Sequence, residues 1–419
     1  MKQNKTLVVI GGGAAGFFCA VNAARMHPQL QVILLEKSSK LLSKVKISGG
    51  GRCNVTHACY SIADMIKKYP RGNAFLKKAF HQFFTTDTIE WFAKRGVPLK
   101  TEGDGRMFPQ SNTSQTIIDC LLQETNRYKV DVRMNSDVKE VRSMVDGQWS
   151  TGVTNKFELS LLNGKAIIAD YVCIACGGFP KSAQFDWLTK LGHSIEDPVP
   201  SLFTFNIPQN NITALMGISV ENAVVKIAGT KLQQSGPLLI THWGLSGPAA
   251  LKLSAWGARE LADKNYHFTI HVNWLPEYNE NTLKDKIQQL RFDIASQKII
   301  NRNPFGIPSR LWEYFLLQSN INMDLRWADL PGKEQNKLIK ILCGQEMEVE
   351  GKTTFKEEFV TAGGISLNEI DVNTMQSKLI PGLCFAGEIL NIDGVTGGFN
   401  FQNAWTTGWI AAKNVERPV

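Results

Sequence analysis

The sequence predicts an α/β protein in which a Rossmann-type domain, formed by both chain ends, carries an inserted antiparallel β domain and a small helical subdomain. Three observations predict it: a strand, glycine turn, helix and strand over 7–36, a glycine-rich segment at 382–400, and short alternating strands from about residue 195. The expected domains are the discontinuous Rossmann domain at 1–194 and 355–419, the β domain at 195–280 and the helical subdomain at 281–354.

The chain opens with a dinucleotide-binding fingerprint. An apolar run leads into Gly11, Gly13 and Gly16 in G-x-G-x-x-G spacing, and a helical pattern and a second apolar run follow. Gly11 permits the tight turn, Gly13 lets a pyrophosphate approach the backbone, and Gly16 lets helix and strand pack closely. Glu36 ends the second run, where its carboxylate would bind a ribose hydroxyl and repel a 2′-phosphate. The fingerprint therefore favours FAD or NAD over NADP.

A second glycine cluster follows at 48–54, with the sequence Ser-Gly-Gly-Gly-Arg-Cys-Asn. Three consecutive glycines are costly to order unless the backbone must pass close to a ligand. Arg52 offers a cation for a phosphate or a ring carbonyl, and Asn54 offers both a donor and an acceptor. Taken alone, the cluster also fits a flexible surface loop.

A third glycine-rich segment lies near the other end of the chain. An apolar strand pattern ends at Gly387-Glu388, and Gly397-Gly398 then opens a helical pattern. NAD is short enough for one βαβ unit and its neighbours, whereas FAD needs contacts from distant segments. The three clusters together therefore favour FAD.

At this point the chain resembles the BaiN-like family of bacterial NAD(P)/FAD-dependent oxidoreductases. The resemblance rests on Lys44 and the segment at 48–54, on Arg-Met-Phe-Pro at 106–109, on Thr-His-Trp-Gly-Leu-Ser-Gly-Pro at 241–248, and on most of 361–408. It implies bound FAD, a FAD domain built from both chain ends and a two-part insertion. One member type reduces carbon–carbon double bonds in oxo bile acids. Val138 would sit where this family contacts adenine.

The chain departs from the family pattern in two places. An Ala-Thr-Gly-Gly segment appears as Ala-Cys-Gly-Gly at 175–178, and the glycine-rich segment that usually follows is replaced by Phe-Pro-Lys-Ser-Ala-Gln-Phe at 179–185. If that loop shapes access to the flavin, substrate and donor differ from the family norm.

The motifs and the resemblance together imply a set of contacts to non-covalent FAD. The expected cofactor-binding residues are Gly11, Gly13, Ala14, Ala15, Gly16, Glu36, Lys37, Lys44, Gly50, Gly51, Arg52, Cys53, Asn54, Val138, Ala175, Gly177, Gly178, Gly387, Glu388, Asp393, Gly397, Gly398, Asn400 and Phe401.

His242 is the candidate proton donor. A reductase of an activated double bond needs an acid for one carbon after hydride reaches the other, and histidine titrates near neutral pH. A structural role stays open, because Ser246 and Pro248 look like a helix start where His242 would bridge backbone groups.

The expected function is reduction of a small organic substrate through the flavin, with NAD(P)H as the transient electron donor. The sequence shows no second G-x-G-x-x-G, so the nicotinamide would visit the flavin directly, and NADH and NADPH stay open. No metal site is expected. The substrate and the oligomeric state do not follow from the sequence.

Charge leaves a different class of substrate open. The net charge is +8 and the pI is near 9.0, which also suits an FAD-dependent tRNA-modifying enzyme, although the basic residues are interspersed with acids. A non-catalytic flavin-binding regulator is a third possibility. The sequence has no apolar run long enough to span a bilayer and no signal-peptide pattern, so the expected location is the cytoplasm, without membrane partners.

The eight cysteines show no zinc-like spacing. Cys173 and Cys176 form a C-x-x-C, but they lie in a strand pattern, where residues three apart point to opposite faces. Cys53 is the better candidate for a reactive thiol, with a small packed residue as the favoured interpretation.

Overall fold

The computed structural model describes residues 5–144, 156–354 and 360–417. The chain divides into two compact units, one formed by residues 1–200 with 356–419 and the other by residues 201–355. Both chain ends therefore contribute to the first unit, as the sequence predicted.

The strands are β1 Thr6–Ile10, β2 Gln31–Leu35, β3 Thr56–His57, β4 Leu99–Thr101, β5 Arg106–Pro109, β6 Asp131–Arg133, β7 Val138–Met144, β8 Lys156–Leu161, β9 Ala166–Ala169, β10 Tyr171–Ile174, β11 Ile195–Ser201, β12 Thr204–Asn206, β13 Ser219–Ile227, β14 Gln233–Thr241, β15 Gly244–Ser246, β16 His267–Asn273, β17 Gln345–Glu350, β18 Lys352–Thr353, β19 Val360–Ile365 and β20 Leu383–Phe385. The α-helices are α1 Ala14–Met26, α2 Ser43–Gly51, α3 Ile62–Met65, α4 Asn73–Ala79, α5 Thr85–Ala93, α6 Ser114–Arg127, α7 Asp186–Thr189, α8 Pro248–Trp256, α9 Ala258–Asp263, α10 Glu280–Asp293, α11 Ser309–Gln318, α12 Gly332–Gly344 and α13 Phe399–Asn414.

A parallel five-stranded sheet in the order β20-β10-β1-β2-β6 forms the centre of the first unit. After the first residue, each of its inner strands is apolar and buried, because both faces of a parallel sheet are covered. Helices α1 and α13, which belong to opposite ends of the chain, pack against each other. The Rossmann-type fold predicted from the sequence is confirmed.

Three smaller sheets complete the first unit. Strands β3, β5 and β4 form one, the meander β7-β8-β9 forms another, and β11 pairs with β19 in the third. Strand β5 consists of the Arg-Met-Phe-Pro motif at 106–109. Its Met107 and Phe108 are buried, which explains the ordered pairing.

The second unit is an antiparallel seven-stranded sheet in the order β17-β16-β13-β14-β15-β12-β18, with helices α8 to α12. The β part and the helical part were expected as separate subdomains, but they share one hydrophobic core. That core includes Ile270 from the sheet, Trp312 and Phe315 from α11, and Leu338 from α12. The unit begins at residue 201 rather than 195, since β11 pairs with β19 of the first unit.

Among the residues that the structure describes, no helix combines the length and apolar character needed to cross a membrane.

Candidate functional site

The fingerprint glycines occupy two different environments. A Cβ added at Gly16 would lie 1.9 Å from the carbonyl oxygen of Gly11, and one added at Gly11 would lie 2.5 Å from that of Ala175. These two positions exclude a side chain because helix and strands approach closely there. Gly13 differs, because no described atom lies within 4 Å of an added Cβ. The N-terminus of α1 is therefore open at Gly13.

The start of α1 also joins the two ends of the chain. Ala14 begins the helix, and Ala15 is buried. An added Cβ at Gly387 would lie 2.7 Å from the Cβ of Ala15, and one at Gly408 would lie 2.8 Å from its carbonyl oxygen. Because the residues at these positions are small, the third glycine segment and α13 can pack closely against the start of α1.

Glu36 stands at the end of β2, beside the glycine turn. Its Oε2 accepts the N–H of Gly12 at 2.8 Å, and its Oε1 accepts the N–H and the hydroxyl of Ser38 at 2.9 and 2.8 Å. These bonds orient the half-buried carboxylate above the turn. The neighbouring Lys37 is exposed, with its ammonium 6.0 Å from the centre of the Phe179 ring.

The segment at 48–54 folds as a left-handed turn that ends α2. Gly49, Gly50 and Gly51 have φ values of +59°, +69° and +82°, a region that favours glycine. No described atom lies within 4 Å of a Cβ added at Gly50 or Gly51. The turn therefore leaves open space beside the backbone, as a ligand-contacting loop requires.

Arg52 makes contacts that the sequence analysis did not anticipate. Its guanidinium lies 4.0 Å from the centre of the Phe108 ring, and its Nη1 donates to Glu102 Oε1 at 2.5 Å. The side chain is thus engaged by protein groups in this structure.

Cys53 and Asn54 close the turn. Cys53 is fully buried at φ +62°, and burial raises the pKa of its thiol to about 12. A protonated, buried thiol supports the interpretation as a packed residue. With its amide assigned from the hydrogen-bond network, Asn54 donates to Thr56 O at 2.9 Å and accepts from the N–H of Gly398 at 3.0 Å. Asn54 thereby ties the second glycine cluster to the third.

Glu388 follows β20, at the carboxyl end of the parallel sheet. Its Oε1 accepts the N–H of Thr361 at 2.9 Å, and its Oε2 accepts from Lys44 Nζ at 2.7 Å. A Cβ added at Gly178 would lie 3.0 Å from Oε1. The structure thus brings Lys44, Gly178 and Glu388, expected from three separate motifs, into one cluster.

The strand end at Ala175 completes this edge of the sheet. The N–H of Ala175 donates to Ile10 O at 2.8 Å, and Gly177 has φ +78° with no described atom within 4 Å of an added Cβ. Val138 begins β7, just after Ser136 donates its N–H to the backbone oxygen of Glu36 at 2.8 Å. Val138 therefore lies two residues from a backbone contact with Glu36 at the end of β2, although the two segments are distant in sequence.

Hydrogen bonds and ring contacts to other protein groups hold the segment at 393–401. Asp393 is fully buried and accepts two hydrogen bonds from the guanidinium of Arg71. Asn400 accepts from the N–H of Gly394 at 2.8 Å and donates to its carbonyl oxygen at 2.9 Å. The Phe401 ring stacks on the Trp405 ring, with the ring centres 5.8 Å apart. The backbone at Gly397 and Gly398, with φ of +132° and +92°, leads directly into α13.

Sequence reasoning missed several side chains that shape this segment. The Tyr69 hydroxyl donates to Phe399 O at 2.7 Å, and the N–H of Gly387 donates to Thr407 Oγ1 at 2.8 Å. Asn403, on α13, is 1% exposed, and its Oδ1 has no hydrogen-bond partner among the described residues. Tyr69 lies outside every motif, and Asn403 and Thr407 lie within the stretch at 361–408 that resembles the family but carry no separate signal of their own.

His242 belongs to the second unit and lies in the turn between β14 and β15. The imidazole is exposed, with its centre 3.9 Å from that of the Trp243 ring. Pro248 begins α8, as the sequence predicted, but the N-cap residue is Gly247, and Ser246 ends β15 instead of capping the helix. Among the described residues, no hydrogen bond from the His242 ring bridges backbone groups of that turn.

The two cysteines of the C-x-x-C do not form a disulfide, and both Cys173 and Cys176 are free thiols. The neighbouring thiols of Cys19 and Cys384, together with burial, raise the pKa of the Cys173 thiol. No group of His, Cys, Asp or Glu side chains with metal-binding geometry occurs among the residues that the structure describes.

The fold and this site define a flavin-dependent oxidoreductase with a Rossmann-type FAD-binding domain. The chain matches the model described as the HI0933-like protein Rossmann domain over residues 5–414, and it belongs to that family.

Two full-length relatives carry different functions. The chain is 27% identical to the 3-dehydro-bile acid delta(4,6)-reductase of Clostridium scindens, over 98% of this chain and 99% of that protein. It is 28% identical to the ribosomal RNA dihydrouridine synthase of Escherichia coli (strain K12), over 97% of each. The chain also resembles the 3-ketosteroid delta1-dehydrogenase structure of Sterolibacterium denitrificans, with a TM-score of 0.51, 12% identity and 99% coverage of both chains. That last similarity concerns the fold alone.

Proposed function

We propose that this protein is an FAD-dependent reductase of a carbon–carbon double bond conjugated to a carbonyl group, with NAD(P)H as the electron donor. The observation that carries the proposal is the open space beside four glycines of the expected cofactor site in the first unit. Gly13, Gly50, Gly51 and Gly177 all have empty space where a side chain would stand, and they come from three separate motifs.

The side chains around these openings suit the parts of FAD. The open N-terminus of α1 at Gly13 would receive the pyrophosphate, since its N–H groups and helix dipole favour an anion. Glu36 would accept a hydrogen bond from a ribose hydroxyl. Glu388, which Thr361 and Lys44 orient, would accept a hydrogen bond from a ribityl hydroxyl.

The third glycine segment would face the ring system. The Gly397-Gly398 turn precedes α13, which has no acidic residue in its first turn, so its positive end would favour negative charge on a reduced ring. Asn403 Oδ1 is a buried acceptor with no described partner, and it needs a donor. When bound, FAD supplies the hydride transfer that side chains lack.

The chemistry shared by the two relatives points to the substrate class. A 3-dehydro-bile acid with double bonds at positions 4 and 6 is a conjugated enone, and dihydrouridine arises by adding two hydrogens to a double bond conjugated to a uracil carbonyl. Both reactions need hydride at the carbon remote from the carbonyl and a proton at the adjacent carbon. We propose His242 as the proton donor, because its imidazole is exposed and histidine is a common general acid.

A uracil base in ribosomal RNA is the second candidate substrate. The observation that favours it is the net charge of +8, which suits a polyanionic partner, together with the full-length similarity to an RNA-modifying relative. An RNA substrate would bind with a steep salt dependence, whereas a steroid-like enone would not.

The decisive experiment is an anaerobic absorbance spectrum of the purified protein before and after NADH or NADPH. Flavin that bleaches, and is then reoxidised by a 3-oxo-4-ene steroid with gain of two hydrogens, supports the first substrate class. Reoxidation by an unmodified ribosomal RNA transcript, with the same mass gain on a uridine, supports the second. If neither nucleotide reduces the flavin, the proposal that NAD(P)H is the electron donor is wrong. If the protein is colourless and FAD cannot reconstitute it, the proposed cofactor is wrong. Reduced flavin that neither acceptor reoxidises contradicts the substrate class.

A further inference from the structure

A short segment of the first unit runs alongside the third glycine cluster. The N–H of Val395 donates to Lys68 O at 2.9 Å, and Arg71 and Asp393 form an antiparallel backbone bridge. The pairing fixes the backbone at the start of the loop that leads to α13.

The same two residues are joined through their side chains. Arg71 donates from Nε to Asp393 Oδ1 and from Nη2 to Oδ2, the two-pronged geometry that fixes both groups in direction and distance. The Asp393 side chain is 0% exposed and that of Arg71 is 15% exposed. A carboxylate buried to this degree and engaged at both oxygens is poorly placed to contact FAD itself.

The far end of the loop is held by the same segment. Tyr69 donates its hydroxyl to Phe399 O at 2.7 Å, at the first residue of α13. In addition to these two contacts, Asn400 makes two hydrogen bonds to the backbone of Gly394. Glycine-rich backbone has large conformational freedom, so such anchors decide which conformation the loop adopts.

We infer that Arg71 is a positioning residue for the flavin. It acts through Asp393 to hold the loop at 394–398, and with it the N-terminus of α13, in the conformation that faces the flavin ring. The inference rests on the proposed function and goes beyond it by assigning Asp393 to the loop rather than to the cofactor. Residues 68–71 thus form part of the site without touching a ligand.

The test compares Arg71→Gln and Arg71→Lys with a matched control. Arg95 and Glu124 form an ion pair of similar burial in the same unit, with side chains 13% and 7% exposed, and Arg95→Gln removes it. For each holoprotein, the FAD dissociation constant, the flavin midpoint potential and the midpoint of urea unfolding would be measured. Arg71→Lys keeps the charge and loses the two-pronged geometry.

We expect both Arg71→Gln and Arg95→Gln to lose stability, because each removes the arginine that is ion-paired with a buried carboxylate. Arg71→Gln alone should raise the FAD dissociation constant by about tenfold or more and make the flavin potential more negative, with partial rescue by Arg71→Lys.

Equal FAD affinity and potential in the two glutamine variants would overturn the inference while leaving the proposed function intact. If Arg71→Gln does not fold, Arg71→Lys decides: an FAD affinity and potential equal to those of the wild type overturns the inference. A wild-type protein that binds FAD normally but reduces neither proposed substrate class overturns the proposed substrate alone. A wild type that takes up no FAD overturns both.

Discussion

Lys44 donates from Nζ to Glu388 Oε2 at 2.7 Å, although 344 positions separate the two residues in the chain. Lys44 lies in α2, just before the second glycine cluster, and Glu388 follows the last strand of the parallel sheet. The contact joins two motifs that the sequence could only name separately. It also orients the carboxylate that we assign to the ribityl chain of FAD.

Glu388→Gln should weaken FAD retention without weakening the fold. The Lys44 side chain is 45% exposed, and ion pairs of this kind contribute under about 1 kcal/mol. The FAD dissociation constant should nevertheless rise by about tenfold, because the amide is a weaker acceptor for a hydroxyl. Glu90→Gln, which breaks the exposed Glu90–Lys94 pair, is the control and should leave FAD binding unchanged. Unchanged FAD affinity in Glu388→Gln would remove Glu388 from the cofactor site.

Gly13→Ala should lower FAD affinity, whereas Gly16→Ala should lower the stability of the fold. A methyl group at Gly13 enters open space at φ −93°, so the unfolding free energy should change by less than about 1 kcal/mol while FAD affinity falls at least about tenfold. A methyl group at Gly16 clashes with Gly11 O and should cost at least about 2 kcal/mol of stability. Urea unfolding of the FAD-free proteins and FAD titration separate the two effects. Normal FAD binding by Gly13→Ala would argue against the pyrophosphate position.

Glu36→Lys should abolish FAD retention. The substitution removes the acceptor for the ribose and places a cation where the carboxylate now binds the backbone of Gly12 and Ser38. Glu90→Lys is the matched control, since it makes the same change at a carboxylate that is 61% exposed and outside the expected cofactor site. The absorbance ratio of flavin to protein after gel filtration measures occupancy. Full occupancy in Glu36→Lys would contradict the ribose assignment.

His242→Ala should spare flavin binding and slow substrate reduction. The loss should be about 10²-fold or more if the imidazole supplies the proton. His267→Ala is the control, because His267 is also an exposed histidine of the second unit. Stopped-flow reoxidation of the reduced protein by substrate, as a function of pH, measures the step. A turnover and pH profile like those of the control would exclude His242 as the acid.

Cys53 should resist alkylation in the folded protein at pH 8. Burial raises its pKa to about 12 from the usual 9.0, so almost no thiolate is present. Because the pKa of Cys53 is raised on folding, the folded protein favours the protonated thiol. The stability that this preference contributes is complete below pH 9 and is lost as the pH rises toward 12. Mass spectrometry after iodoacetamide treatment should find Cys59, which is only half-buried, modified before Cys53. Early modification of Cys53 would show that the turn at 48–54 opens in solution.

The prediction of the fold rested on local motifs. The spacing of Gly11, Gly13 and Gly16 after an apolar run determines a strand, turn and helix, because only glycine fits the close approach to Gly11 O and Ala175 O. The glycine triplet at 49–51 likewise fixes a left-handed turn. In the insertion, periodicity identifies the strands and the helices but not the hydrophobic core that they share.

The sequence by itself determined the class of fold, the fingerprint and the family, because these depend on backbone conformations that neighbouring residues impose. Only the tertiary structure decided the partners of the charged and buried side chains. Arg52 pairs with Glu102, and Asp393 pairs with Arg71, 322 positions away. The physical reason is that a buried charge must find an opposite charge wherever the fold brings one. That pairing depends on how distant segments pack, and spacing along the chain does not encode it.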